Sequence, residues 1–163
     1  FKKKDILLFE QKMFYYKLNL LYPRLLWYGT KACRKKSFFS PQWLRNIKAK
    51  KYPLWRIDTL FSKKKYSNIQ IIKNGGWHFT NMKNPKNLHK KMKEFAHHPE
   101  YEETKYSEKD MEKFIKNKLV FYDHFSDKNK NRFDSKNKLE KAGENVLPKY
   151  LEKNLKKYKS WID

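Results

Sequence analysis

Two glycines followed at once by a tryptophan and a histidine, Gly75 to His78, have residue types and a spacing that could do chemistry. Adjacent glycines let the backbone turn sharply or approach a ligand closely. The apolar residues 69–73 (IQIIK) before them predict a short strand, so Trp77 and His78 would stand at the exit of that strand. A hairpin turn with a buried tryptophan and a surface histidine explains the same residues without a ligand. Both interpretations stay open on these residues alone.

A second group of reactive side chains follows within residues 97–103 (HHPEYEE). The imidazoles of His97 and His98 and the carboxylates of Glu100 and Glu102 could supply a metal ligand or a general base. Neighbouring histidines on a helix point in different directions, so at most one of them would serve a given site. A polar helix end without a function is the alternative.

These groups need a scaffold, and the pattern of the chain predicts a mixed α/β fold with strands in the first half and helices in the second. Residues 6–22 predict one or two strands that end at Pro23, and residues 25–33 predict a further strand that pairs with them. Cap residues predict four helix starts, at Ser40-Pro41, Asn84-Pro85, Ser107 and Leu147-Pro148. The last helix would bury a stripe formed by Tyr150, Leu151, Leu155, Tyr158 and Trp161, and residues 126–140 predict a polar surface loop.

The net charge of +23, from forty Lys and Arg against seventeen Asp and Glu, suggests nucleic acid or an anionic membrane. Only five of the forty are arginines, the residue that contacts phosphates and bases with two hydrogen bonds at once. The lysines are also spread along the whole chain, which favours a solvated surface. We therefore expect no nucleic-acid partner. The single cysteine, Cys33, excludes an internal disulfide, and no apolar stretch approaches the roughly 20 residues of a membrane span.

The order of four short motifs resembles glycosyltransferase family 17, which includes the enzyme that makes bisecting N-acetylglucosamine on N-glycans. The motifs are QKMFYYKLN, GGWHF, FAHHPEY and LPKYLEKN, and together they span about residues 10–160. Thr80 stands where the family usually has serine. The spacing from histidine to glutamate is one residue longer than usual, so either His97 or His98 could be the family histidine.

The resemblance implies a GT-A-like nucleotide-sugar transferase domain that inverts the anomeric centre. Its donor would be UDP-N-acetylglucosamine, used with a divalent metal (Mn²⁺ or Mg²⁺), and its acceptor a mannose or related sugar of a glycan. His78 would meet the metal or the diphosphate, and Glu100, with Glu102 as second choice, would be the catalytic base. Substrate contacts would come from Gly75, Gly76, Trp77 and one of His97 and His98.

The acidic donor motif of the Asp-Glu-Ile-Pro type that the family carries is not present in these residues. Since the chain also opens on Phe1 in a strand-like pattern, we expect residues 1–163 to be a single-domain fragment, the C-terminal part of the transferase domain. A bacterial or viral member would work in the cytoplasm, with peripheral membrane association left open, and a eukaryotic one in the Golgi. The rival classes are a basic module that binds nucleic acid or an anionic surface, and a domain whose motifs are only structural.

Overall fold

Strands lie mostly in the first half of the chain and helices in the second, and the fold is mixed α/β, as the sequence predicts. The computed structural model describes residues 5–50, 52–53, 55–59, 61–62, 65–66, 68–94, 98–123, 132–133, 135 and 137–163. The strands are β1 (Ile6–Phe9), β2 (Gln11–Tyr15), β3 (Leu20–Trp27), β4 (Lys31–Cys33), β5 (Ile69–Ile72), β6 (Trp77–Thr80) and β7 (Glu140–Lys141). The α-helices are α1 (Pro41–Asn46), α2 (Pro85–Lys93), α3 (His98–Glu103), α4 (Glu108–Lys116) and α5 (Lys149–Lys153). None of the helices in these ranges has the length and apolar character needed to cross a bilayer.

The first of two compact units comprises Phe1–Lys12 and Leu26–Gly76 and contains a three-stranded sheet of order β4-β1-β5. The central strand β1 is antiparallel to β4, with Ile6 opposite Cys33, and parallel to β5, with Ile6 also opposite Ile69. The pairing of β4 with β1 confirms the predicted contact between these two segments. Ile6, Leu8, Ile47 and Ile69 form the core of this unit.

The second unit comprises Met13–Leu25 and Trp77–Asp163. The second sheet has the order β6-β2-β3-β7, with β7 antiparallel to β3. Phe14 on β2 is fully buried against Leu147 and Leu151, and its ring stacks on Phe79 of β6 with centroids 5.1 Å apart. Because successive side chains of a strand point to opposite faces, packing Phe79 into this core directs His78 to the other face of β6.

Three predicted helix starts are confirmed by their caps. The Ser40 hydroxyl accepts a hydrogen bond from Trp43 N at 3.1 Å, and the Asn84 Oδ1 accepts one from Asn87 N at 2.8 Å. Ser107 and Asp110 form a capping box, in which Asp110 Oδ2 accepts from Ser107 N at 2.9 Å. These caps satisfy backbone N–H groups that have no partner inside the helix.

Two sequence predictions about chain breaks are wrong. Pro23 does not end a strand but lies inside β3, where β7 pairs only with Leu20 and Leu21, so the missing N–H of Pro23 costs no bond on that side. The predicted last helix divides into α5 and a 3₁₀ segment over Leu155–Trp161 that is kinked at Tyr158. Tyr150 and Trp161 of its expected buried stripe are exposed instead. Most of residues 126–136 of the expected surface loop lie outside the described residues, and its end forms a bridge at Lys138 and the start of β7.

Candidate functional site

The turn between β5 and β6 gives both predicted glycines a structural reason. A Cβ atom on Gly75 would lie 2.9 Å from Phe9 Cβ and 3.0 Å from Ile72 O, closer than side chains pack. Gly76 has φ +138°, which residues with a side chain rarely adopt. Gly75 N donates to Glu10 O at 2.7 Å and Gly76 O accepts from Lys12 N at 3.1 Å, so the turn is held on both sides. The turn is thus held by contacts within the first unit, and ligand contact by the glycines stays a prediction.

The hairpin interpretation expects a buried tryptophan, but Trp77 keeps 42% of its surface exposed. Its indole Nε1 donates to Val146 O at 2.7 Å, a link between β6 and the residues that precede α5. The hydrogen bond fixes the orientation of the ring while part of it remains open to a ligand. This arrangement is compatible with the predicted substrate contact.

Four side chains form a polar cluster: Tyr15 of β2, His78 of β6, Asn81 just after β6 and Lys91 of α2. The ammonium of Lys91 donates to Asn81 Oδ1 at 2.6 Å, and the Asn81 side chain also hydrogen-bonds with the hydroxyl of the buried Tyr15. Asn81 is itself buried and has φ +54°, a left-handed conformation that asparagine tolerates better than most residues. The cluster is therefore rigid on the side of Asn81.

Burial and neighbouring ammonium groups lower the pKa values of two members of this polar cluster, His78 and Lys91. Burial, and next the positive charge of Lys91, hold the pKa of His78 below its ordinary value of 6.5. Burial, and next the charge of Lys83, likewise lower the pKa of Lys91. A negative charge placed beside Lys91 would relieve this repulsion.

The predicted carboxylates lie on α3, where Glu100 and Glu102 are both exposed. Between them the buried Tyr101 hydrogen-bonds through its hydroxyl with His89 Nδ1 of α2 at 2.8 Å, which fixes α3 against the helix that carries Lys91. Arg132 lies close enough to Glu100 to feel its charge, although the raised pKa of Arg132 comes first from its hydrogen bond to Tyr122. His97 lies outside the described residues, and His98 is the first residue of α3.

A cavity of about 480 Å³ opens in the second unit, in a place that the sequence does not predict. Trp161 and Ser160 from the 3₁₀ segment form one wall, and Lys83 before α2, with Glu112 and Lys116 of α4, line other parts. The sequence offers two weak signals for this place, the tryptophan that ends the predicted helical stripe and Asn84-Pro85. Lys91 and Asn81 of the polar cluster were also missed, since one lysine among many carries no signal.

His78 was predicted as a metal ligand, but its surroundings fit an anion better than a cation. The charge that acts on the ring is the ammonium of Lys91, which repels a metal ion. Among the residues that the structure describes, no three His, Cys, Asp or Glu side chains are grouped closely enough to hold a metal. The metal stays a prediction.

The ammonium groups of Lys91 on α2 and of Lys83 before it thus place positive charge beside a cavity that carries an indole ring. Ammonium and imidazole groups suit phosphate oxygens, and an indole suits the flat apolar face of a sugar. Comparisons of the chain with models of known protein families, with curated proteins and with solved structures gave no match.

Proposed function

We propose that the chain is part of an inverting glycosyltransferase of the family 17 type, with a GT-A-like fold, that transfers N-acetylglucosamine from UDP-N-acetylglucosamine to a mannose or related sugar. The observation that supports this most is the polar cluster of Tyr15, His78, Asn81 and Lys91. It includes His78 of the GGWHF motif, which is central to the family resemblance. A transferase needs such a site for the diphosphate of its donor.

The donor atoms of the polar cluster suit a diphosphate. Among the residues that the structure describes, Lys91 directs one of its three N–H bonds to Asn81, which leaves two for phosphate oxygens. A hydrogen bond from a charged donor to a ligand contributes about 1.5–3 kcal/mol. His78 lies within reach of the charge of Lys91, and binding of negative charge there would favour its protonated form. The diphosphate would therefore offset the repulsion between the ammonium groups of Lys83 and Lys91 in the free protein.

In the transfer step the base removes the proton of the acceptor hydroxyl, and the freed oxygen bonds to the anomeric carbon. The bond from that carbon to the phosphate oxygen breaks, and UDP leaves with the electron pair. Glu100, or Glu102 in second place, is the proposed base, because both carboxylates are exposed and α3 is anchored through Tyr101. A divalent metal, when bound, would supply further charge neutralisation on the diphosphate.

The test is calorimetric titration of UDP and of uridine into the protein and into Lys91→Met. Lys86→Met is the matched control, since Lys86 is an exposed lysine of the same helix. We expect UDP to bind more tightly than uridine, and Lys91→Met to weaken UDP binding by about tenfold or more without changing uridine binding. Equal losses in both lysine variants would contradict the proposal, because they would indicate attraction by overall charge.

The high positive charge supports one alternative, a module that binds nucleic acid or another anionic surface without catalysis. Such binding is distributed over many phosphates and weakens steeply with salt. A titration of single-stranded DNA between low and physiological salt separates the two functions. The alternative predicts a steep salt dependence and equal contributions from Lys86 and Lys91.

A further inference from the structure

We infer that the cavity beside Trp161 is a binding site for a pyranose that carries an anionic group. Its volume, about 480 Å³, is within the range of about 300–1,000 Å³ typical of small-ligand pockets. All the residues that line it belong to the second unit. The inference depends on three features: the anchored backbone that carries the indole, the charged side chains around it, and the position of the cavity next to the polar cluster.

Trp161 is held in place although it is two residues from the end of the chain. Lys17 Nζ donates to Ser160 O at 2.7 Å, and Leu18 N donates to Trp161 O at 2.8 Å. Beyond it Asp163 N donates to Asn19 Oδ1 at 2.8 Å. The backbone on both sides of the indole is therefore anchored to residues 17–19. An indole carried on an anchored backbone can cover the C–H face of a pyranose at a smaller cost in entropy than one on a loose segment.

The polar side chains around the indole are available to a ligand. Across the residues that the structure describes, no side-chain hydrogen bond or ion pair engages Lys83, Glu112 or Lys116. With Lys17, whose ammonium is bonded to Ser160 O, the lining carries three ammonium groups and one carboxylate, and this net positive charge favours a negatively charged substituent on the sugar. The carboxylate of Glu112 can accept hydrogen bonds from sugar hydroxyls. An uncharged apolar ligand would leave the charges of Lys83, Glu112 and Lys116 unpaired.

The segment 81–84 connects the cavity with the polar cluster around His78. Lys83 N donates to Asn81 O at 2.8 Å, so a tight turn joins a residue of the polar cluster to one that lines the cavity. The charge of Lys83 also reaches Lys91. A saccharide in the cavity would therefore lie beside the proposed diphosphate site. That this saccharide is the acceptor rests on the proposed function, whereas the inference that a saccharide binds in the cavity does not.

The test is ligand-detected NMR titration with four probes in the absence of any nucleotide. The probes are methyl glucuronide, glucose 6-phosphate, methyl glucoside and inorganic phosphate. The variants are Trp161→Ala and Lys116→Met, with Trp55→Ala as matched control because Trp55 is 78% exposed and outside the cavity. Circular dichroism verifies that each variant is folded, and Lys116→Met tests the site independently of the indole.

We expect both anionic pyranoses to bind, and methyl glucoside to bind about threefold to fivefold more weakly. Trp161→Ala should weaken the anionic pyranoses by about tenfold, Lys116→Met should reduce their advantage over methyl glucoside, and Trp55→Ala should change nothing. Unchanged binding in Trp161→Ala, equal binding of methyl glucoside, or equal binding of inorganic phosphate would each overturn the inference. Absence of UDP binding in the calorimetric titration, with saccharide binding intact here, would contradict only the proposed function.

Discussion

Asn19 ties the end of the chain to the second sheet, and its replacement tests how the indole of Trp161 is held. The Asn19 side chain accepts from Asp163 N at 2.8 Å and donates from Nδ2 to Asp163 O at 3.3 Å. Asn19→Ala removes both hydrogen bonds but leaves the backbone bond from Ala142 N to Asn19 O. The substitution therefore loosens the chain end without breaking the sheet contact beside it.

The expected loss follows from the two bonds. A hydrogen bond contributes about 0.5–1.5 kcal/mol, and the one at 3.3 Å lies beyond the usual range for N–H···O. Asp163 is exposed, so water can replace its lost partners, and this lowers the cost. We expect Asn19→Ala to reduce the free energy of unfolding by about 1–2 kcal/mol.

Urea denaturation measures the loss, and hydrogen exchange locates it. The amides of Leu18 and Asp163, which donate to Trp161 O and Asn19 Oδ1, should exchange faster in Asn19→Ala. Asn145→Ala is the control, an exposed asparagine of the same unit, and should stay within about 0.5 kcal/mol of the wild type. If both variants have the same stability and exchange rates, Asn19 does not hold the chain end and the anchoring of Trp161 is refuted.

Three further predictions concern the supports of the site. Phe14→Ala should lower the free energy of unfolding by about 3–5 kcal/mol in urea, because the ring is fully buried, whereas Tyr150→Ala, at a side chain 58% exposed, should have little effect. Ser107→Ala should cost about 0.5–2 kcal/mol in the same assay, because it removes the cap of α4, and an unchanged midpoint would contradict the capping box. Folding lowers the pKa of His78, so as the pH falls the unfolded chain takes up a proton on this side chain before the folded chain does. The stability that neutral His78 contributes should therefore be complete above pH 6.5 and be lost as the pH falls below it. His78→Gln should flatten this pH dependence of the urea midpoint, and an unaltered profile would show that another group titrates.

Local chemistry made several elements predictable from the sequence. The caps at Ser40, Asn84 and Ser107 could be foreseen because a side-chain oxygen meets a backbone N–H only three residues further on. The strand before Gly75 could be foreseen from its run of apolar residues, and the turn from its two glycines. Each of these depends on neighbours within a few residues, which a single sequence displays.

Contacts between distant residues account for what the sequence did not predict. The parallel pairing of β1 with β5 joins Ile6 to Ile69, and no local pattern shows it. Pro23 is tolerated in β3 because β7 pairs only with Leu20 and Leu21 and does not reach Pro23. The residues of β7, 140–141, lie far from Pro23 in the sequence. The cavity combines residues 16–17, 83–85, 112–116 and 160–161, and Lys91 becomes distinct from other lysines only through its contact with Asn81.

The most direct test of the proposed glycosyl transfer is mass spectrometry of the acceptor. The protein, produced from its entire native reading frame, is incubated with UDP-N-acetylglucosamine, Mn²⁺ and a panel of mannose-terminated and acidic glycans, and Glu100→Gln is treated in parallel. We predict that one class of glycan gains a single N-acetylhexosamine with the wild type, and that Glu100→Gln binds UDP as the wild type does but transfers nothing. An unmodified panel with intact UDP-N-acetylglucosamine would contradict the proposed transferase, and full turnover by Glu100→Gln would contradict its base.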